Sequence, residues 1–161
     1  MMRLSAKEVV EAPIDFVWGQ LSDFTLWERT ALRRGVEMQR LDGAPTEGPG
    51  MAWLIRFGFQ GKPREVDMRL AGAEPGQRLL FEAVGHSMKA DLTLDLHEVA
   101  LRRTRVTVVS EVRPLSMTAR VFIQSLRLAR GKLQEKYDRR IAGFAADIED
   151  RWKARRSDTQ G

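Results

Sequence analysis

The spacing of apolar residues changes once along this chain, at Pro114, and that change limits the folds open to it. Upstream, apolar side chains recur at every second position. Met51, Trp53, Ile55, Phe57 and Phe59 share one parity, with Arg56 on the other. Val66, Met68 and Leu70 alternate with Glu65, Asp67 and Arg69. Met88, Ala90, Leu92, Leu94 and Leu96 alternate with Lys89, Asp91, Thr93, Asp95 and His97, and Val106, Val108 and Val112 continue the pattern. Successive side chains of a strand point to opposite faces, so each run predicts a strand with one apolar side. Turn-forming stretches separate the runs: Gln60–Pro63, Glu74–Gln77, Gly85–Ser87 and Arg102–Arg103. Hairpins in series with one apolar face predict an antiparallel sheet covered on one side.

Downstream of Pro114 the step becomes three or four. Leu115, Ala119, Phe122, Leu126, Ala129, Leu133, Tyr137, Ile141, Phe144 and Ile148 form one stripe. It predicts a single helix from near Ser116 to about Trp152, with an apolar line roughly 50 Å long. Such a stripe needs a large apolar partner, and the sheet's apolar face is the one on offer. At the other end of the chain, Met2–Glu11 reads as a strand. Ala12-Pro13 then opens a short helix with Ile14, Val17, Trp18 and Leu21 on one face. Ser22-Asp23 ends it and caps a second short helix carrying Phe24, Trp27, Ala31 and Leu32, which Gly35 closes. Val36–Leu41 is a further strand, followed by a loop marked by Asp42-Gly43 and Gly48-Pro49-Gly50.

The length of 161 residues fits one domain, and a chain of this size hides roughly 70% of its unfolded surface. The absence of cysteine rules out disulfides, thiolate metal sites and thiol nucleophiles. The first residues hold no apolar signal core, and no apolar run is long enough to span a bilayer, so the cytoplasm is the expected location. Charge is uneven. Residues 1–115 hold 16 basic and 16 acidic side chains, whereas residues 116–156 hold 11 basic against 5 acidic. That field suits weak contact with an anionic membrane, or simply keeps a helix face hydrated. Nucleic acid is not an expected partner, and the sequence leaves the oligomeric state open.

The order is a strand, two short helices, six strands and a long helix. Local anchors are Val10-Glu11-Ala12-Pro13-Ile14-Asp15-Phe16-Val17-Trp18, Leu21-Ser22-Asp23 and Gly48-Pro49-Gly50-Met51-Ala52-Trp53. With them, the chain resembles the START and Bet v 1-like (SRPBCC) superfamily, in particular its polyketide cyclase/dehydrase and lipid-transport group. The resemblance covers nearly the whole chain. It implies an α+β helix-grip fold, in which a seven-stranded curved antiparallel sheet wraps a long C-terminal helix. It places one domain at residues 1–153 and leaves 154–161 as a polar, flexible tail. It also implies a cavity between sheet and helix for a lipid or other hydrophobic small molecule. Members of the superfamily share no universal catalytic residues, so none is transferred. A cyclase or dehydrase activity, or a partner-binding module working through the basic helix face, are the alternatives.

Searched for chemistry, the chain offers little. His86 falls in a turn and His97 on a polar strand face. No spacing of His, Asp and Glu provides a metal site, and no nucleophile motif, phosphate loop or cofactor fingerprint is present. Glu65, Asp67, Asp91 and Asp95 have the parity of a solvated face. The expected cavity lining is Trp53, Phe57, Met68, Met88, Ala90, Leu92, Phe122, Leu126, Leu133 and Tyr137. Small Ala90, Ala119 and Ala129 would leave room, and methionines would give adaptable walls. Three polar residues are candidates for contact with a ligand: Tyr137 within the helix stripe, Arg140 near its centre line, and Ser110 with the parity of Val108. Buried, the arginine would need an acidic ligand group or a carboxylate such as Glu82 or Glu111. The tyrosine is equally well read as an ordinary core residue.

Overall fold

The structure, a computed structural model, describes residues 1–41, 48–59 and 61–160. The Asp42-Gly43 turn and Gln60 of the expected hairpin turn lie outside them. The chain begins with β1 (Met2–Val10), α1 (Ile14–Leu21) and α2 (Phe24–Arg33). The remaining strands are β2 (Glu37–Arg40), β3 (Ala52–Phe59), β4 (Lys62–Glu74), β5 (Arg78–Val84), β6 (Met88–Ala100) and β7 (Arg103–Pro114). Two helices, α3 (Met117–Leu128) and α4 (Arg130–Gln160), complete it.

The strands form one seven-stranded sheet in the order β1-β7-β6-β5-β4-β3-β2, with antiparallel pairing throughout. Strands β2 to β7 are a chain of hairpins. The first strand pairs with the last, so the sheet's edges are β1 and the four-residue β2. Gly61 and Gly76 take φ of 75° and 73° in the β3–β4 and β4–β5 turns, a region that side chains bearing a Cβ rarely adopt. Pro13 stands at the N-cap of α1 in extended geometry, while Asp23 caps α2 by accepting from the Leu26 amide at 3.1 Å.

The predicted single helix is two. Ser116 caps α3 by accepting from the Ala119 amide at 3.1 Å, and α3 ends at Leu128, with Ala129 as its C-cap and α4 starting at Arg130. Two members of the expected stripe accordingly fall outside it, since Leu115 and Ala129 are exposed. Residues 154–160 continue α4.

The two helices guard the free edge of β1. Arg127 donates to the Met1 carbonyl, Arg130 Nη2 reaches the Arg3 carbonyl at 3.5 Å, and Gln134 Nε2 donates to the Ser5 carbonyl at 2.9 Å. These alternate carbonyls face away from β7, and pairing them blunts an edge that would otherwise accept a foreign strand.

The packed core lies toward one end of the sheet. It joins Val10, Val17, Leu21, Phe24, Met51, Trp53, Leu70, Leu79, Phe81, Leu94, Leu96, Val106 and Val108 to Ala145 and Ile148 of α4. Its polar atoms are satisfied. Buried Thr104 donates to the Ala12 carbonyl at 2.9 Å, and the Trp53 indole donates to Glu28 Oε1 at 3.0 Å.

Candidate ligand-binding site

Along each strand from β3 to β7, burial falls off in the same direction. On β7, Thr104, Val106 and Val108 are buried, while Ser110 and Val112 are only partly so. On β6, Leu96 and Leu94 are buried and Leu92, Ala90 and Met88 are half-open. The same step separates Phe81 from Ala83 on β5, Leu70 from Met68 and Val66 on β4, and Trp53 from Ile55 and Phe57 on β3. The register makes these neighbours: Met68 opposes Ala83, Ala83 opposes Ala90, Ala90 opposes Val112, and Leu92 opposes Ser110. On α4, Ile148 and Ala145 are buried, and Ile141, Tyr137 and Leu133 are half-open. One end of the inner face is therefore filled, and the other leaves a continuous apolar surface partly accessible.

The contacts of α3 put it at that open end. The Leu115 amide donates to the Ser87 carbonyl in the β5–β6 turn at 2.8 Å, and Phe122 meets Phe59 edge-on with ring centroids 6.3 Å apart. At its far end Arg127 reaches Met1. Ala119 and Ile123 are buried beneath α3 but stand apart from the main core, and Phe122 and Leu126 are partly buried.

The expected site residues divide along this gradient. Phe57, Met68, Met88, Ala90, Leu92, Phe122, Leu126, Leu133 and Tyr137 all occupy the half-open zone. Trp53 belongs instead to the filled core, 1% exposed and packed against Phe24 and Phe81. Ala129 is exposed at the helix break, so it leaves no room inside. Arg140 is exposed too. It follows Tyr137 by three residues, a rotation of about 300°, which takes it to the flank of α4 and out to water. Neither expected carboxylate partner meets it. Glu82 pairs with Arg69 at 2.6 Å, and Glu111 lies near Arg3 and Arg113, on the sheet's other face.

Tyr137 and Ser110 do come together. Their hydroxyls are hydrogen-bonded at 2.9 Å, the one described side-chain pair of this kind in the half-open zone. Burial raises the ionisation of the Tyr137 phenol above its ordinary value, the Ser110 hydrogen bond pulls it back, and Asp138 adds a small upward push. Val66, Ala83 and Val112 belong to the same surface, although sequence reasoning does not single them out. Their parity is the available signal.

The outer face of the sheet is a field of ion pairs. Arg78 meets Asp95 at 2.5 Å, Arg56 meets Glu65 at 3.0 Å, and Arg113 lies 3.8 Å from Asp91. A cleft of about 700 Å³ on this side is lined by Lys7, Arg78, Asp95, His97, Arg105 and Thr107 among others, a polar furrow unsuited to an apolar guest. A smaller one of about 340 Å³ lies where the start of α1 meets the end of α4, lined by Asp15, Phe16, Trp152 and Arg155, with the Phe16 and Trp152 ring centroids 5.1 Å apart. Among the described residues no cluster of His, Asp and Glu suits a metal ion, and no helix is long and apolar enough to cross a membrane.

A family model described as polyketide cyclase/dehydrase and lipid transport matches residues 1–149. No curated protein sequence matches the chain. Among solved structures, a protein of Thermus thermophilus superposes with a TM-score of 0.63 at 16% identity, covering 95% of this chain and 98% of its own. The Zhui aromatase/cyclase of a Streptomyces species gives 0.58 at 12% identity, over 71% of this chain and 69% of its own. Norcoclaurine synthase of Thalictrum flavum, in complex with dopamine and hydroxybenzaldehyde, gives 0.59 at 12% identity, over 74% and 73%. At such identities the likeness is one of fold.

Proposed function

Given that this chain belongs to the polyketide cyclase/dehydrase and lipid transport family, we propose that it binds a largely apolar small molecule or lipid between the inner sheet face and helices α3 and α4. The observation that carries this reading is the burial gradient. A domain with no use for an internal guest gains by filling its inner face along its whole length, because each partly exposed apolar side chain forgoes transfer free energy. On strands β3 to β7 the shortfall falls in one half of the inner face, and Ile141, Tyr137 and Leu133 of α4 and Phe122 and Leu126 of α3 share it.

The chemistry of that half sets the guest. Its walls are aliphatic, aromatic and thioether, with Met68 and Met88 adapting to shape. Burial of a guest is worth roughly 25 cal/mol per Å² of apolar surface, so a few hundred Å² gives about micromolar affinity after the costs of association. The hydroxyl pair of Tyr137 and Ser110 offers a guest one donor and one acceptor. A guest with an oxygen there keeps the pair satisfied, whereas a hydrocarbon leaves their remaining capacity unused.

Displacement of an environment-sensitive fluorescent fatty acid, with native mass spectrometry of untreated protein, tests the reading. Wild type should take up the probe. Ala90→Phe should block uptake while melting as wild type does, and Tyr137→Phe should weaken oxygenated guests while sparing hydrocarbons. If wild type takes up no probe and Ala90→Phe is indistinguishable from it, the domain binds nothing in this space.

A further inference from the structure

Helix α3 is apolar on two opposite sides. One side faces inward through Ala119, Phe122, Ile123 and Leu126. The other carries Met117, Val121 and Leu128, which fall within about 40° of one another at 100° per residue. These three are 70%, 62% and 92% exposed, and Leu115 just before the helix is 55% exposed. A hydrated helix face has no need of such residues, and four together on one short segment exceed the scatter of lone apolar side chains found on any surface.

The charge around the stripe is of one sign. From Arg113 to Leu133 the chain holds five basic residues and no acidic one. Arg120 and Arg127 lie along one flank of the outer stripe, near 300° and 280° when Met117 is set at 0°. Arg113 is paired with Asp91 and Glu111. Among the described residues no carboxylate pairs with Arg120, Arg127, Arg130 or Lys132, and the carbonyls that Arg127 and Arg130 meet on β1 leave their charge uncompensated.

We propose that the outer face of α3 docks on an anionic lipid bilayer, with Met117, Val121 and Leu128 entering the headgroup region and Arg120, Arg127 and Lys132 meeting acidic headgroups. An apolar stripe bordered by cations on a short helix is the pattern of an interfacial helix, held by buried apolar area plus attraction to anionic lipid. A second copy of this chain is a poor occupant, since two such faces would bring their arginines together. Position gives the docking a use. The same helix closes the open end of the half-buried zone through Phe122 and Phe59, so a docked bilayer would meet the mouth of the groove. The docking itself rests on α3 alone and does not require the groove to hold a guest.

Flotation with vesicles of phosphatidylcholine containing 30 mol% phosphatidylglycerol, against pure phosphatidylcholine, tests it at low and high salt. Wild type should bind the anionic vesicles at low salt, and lose that binding at high salt and on the neutral vesicles. Val121→Asp with Leu128→Asp should weaken binding by on the order of 100-fold, and Arg120→Gln or Lys132→Gln by about fivefold each. All four positions are exposed, so melting temperature and fatty-acid displacement in solution should stay at wild-type values. Three results overturn the proposal: no binding of wild type to anionic vesicles at low salt; equal binding by the double aspartate variant; or a dimer, seen by sedimentation velocity and dispersed by that variant, in protein that ignores vesicles. Failure here with normal fatty-acid uptake leaves the ligand-binding reading intact, and the converse holds.

Discussion

Tyr137 is the chain's single tyrosine, which makes one phenol readable on its own. Its ionisation is raised above the ordinary value of 10.0, first by burial, with the Ser110 hydrogen bond working the other way. The neutral form is the one the fold favours. Any stability it contributes is therefore complete below about pH 10 and is lost as pH climbs through the raised folded-state value. Absorbance of tyrosinate near the red edge of the tryptophan band should give a midpoint above that of a solvated tyrosine. Ser110→Ala should move it further up, because the hydroxyl that helps the phenolate is gone. A midpoint at the free-residue value in both proteins would show a phenol open to water. At this scale the sequence tells half the story. Period and parity each place Tyr137 and Ser110 inward, but no rule of spacing says that residues 27 positions apart will share a hydrogen bond. Arg140 fails for a related reason. A stripe stepping by three or four drifts around its helix, and a residue near its average line is not thereby inside. Ile141, one position on, takes the inward place.

The break at Ala129 belongs to the scale of elements. Leu126, Ala129 and Leu133 keep helical spacing across it, and no proline marks it. Periodicity cannot distinguish one long helix from two short ones in the same phase. The cause is tertiary: α3 spans the open end from Ser87 to Met1, whereas α4 runs along β1, and one straight rod cannot do both. The local trace of this is Gly131, a poor helix former beside the break. The strands are more legible, because each buries one face and a slip of one residue would expose all of it. The gradient along them is not. Every inward residue has the same parity whether its neighbours touch or leave a gap. Two truncations on α4 separate the cases. Ile148→Ala, at 0% exposure in the filled core, should cost about 2–5 kcal/mol. Leu133→Ala, in the half-open zone, should cost about 1 kcal/mol, since less area and fewer contacts are lost. Urea unfolding monitored by tryptophan fluorescence reads both, and equal losses would mean that the zone around Leu133 is packed as tightly as the core.

For the whole molecule, the two halves share the same strands but differ in what holds them. Toward one end, Trp53, Phe81, Leu94, Val106 and Ile148 bind sheet, α1, α2 and α4 into one body. Toward the other, the strands keep their ladder hydrogen bonds but lack full side-chain cover, and α3 spans the end as a separate helix. Local opening should follow that division, because regions with few buried apolar contacts open at lower free energy than the core. Backbone amides of 94–96 and 104–108 should exchange with deuterium only through global unfolding. Those of 64–68, 84–92 and 110–113 should exchange earlier, through partial opening that leaves the core intact. A guest that binds the closed groove and not the opened one must slow the second set by the factor 1 + [L]/Kd, up to the rate set by global unfolding. At a fatty acid concentration 100 times its Kd, that is about a hundredfold slowing in the open half. Within the EX2 regime the core amides should gain at most the same factor, and only if the guest leaves when the whole domain unfolds. Uniform protection along all seven strands without ligand would remove the division between halves. Protection that a fatty acid increases around Phe16 and Trp152, and not around Met88–Leu92 and Ser110–Val112, would relocate the binding site to the cleft between α1 and the end of α4.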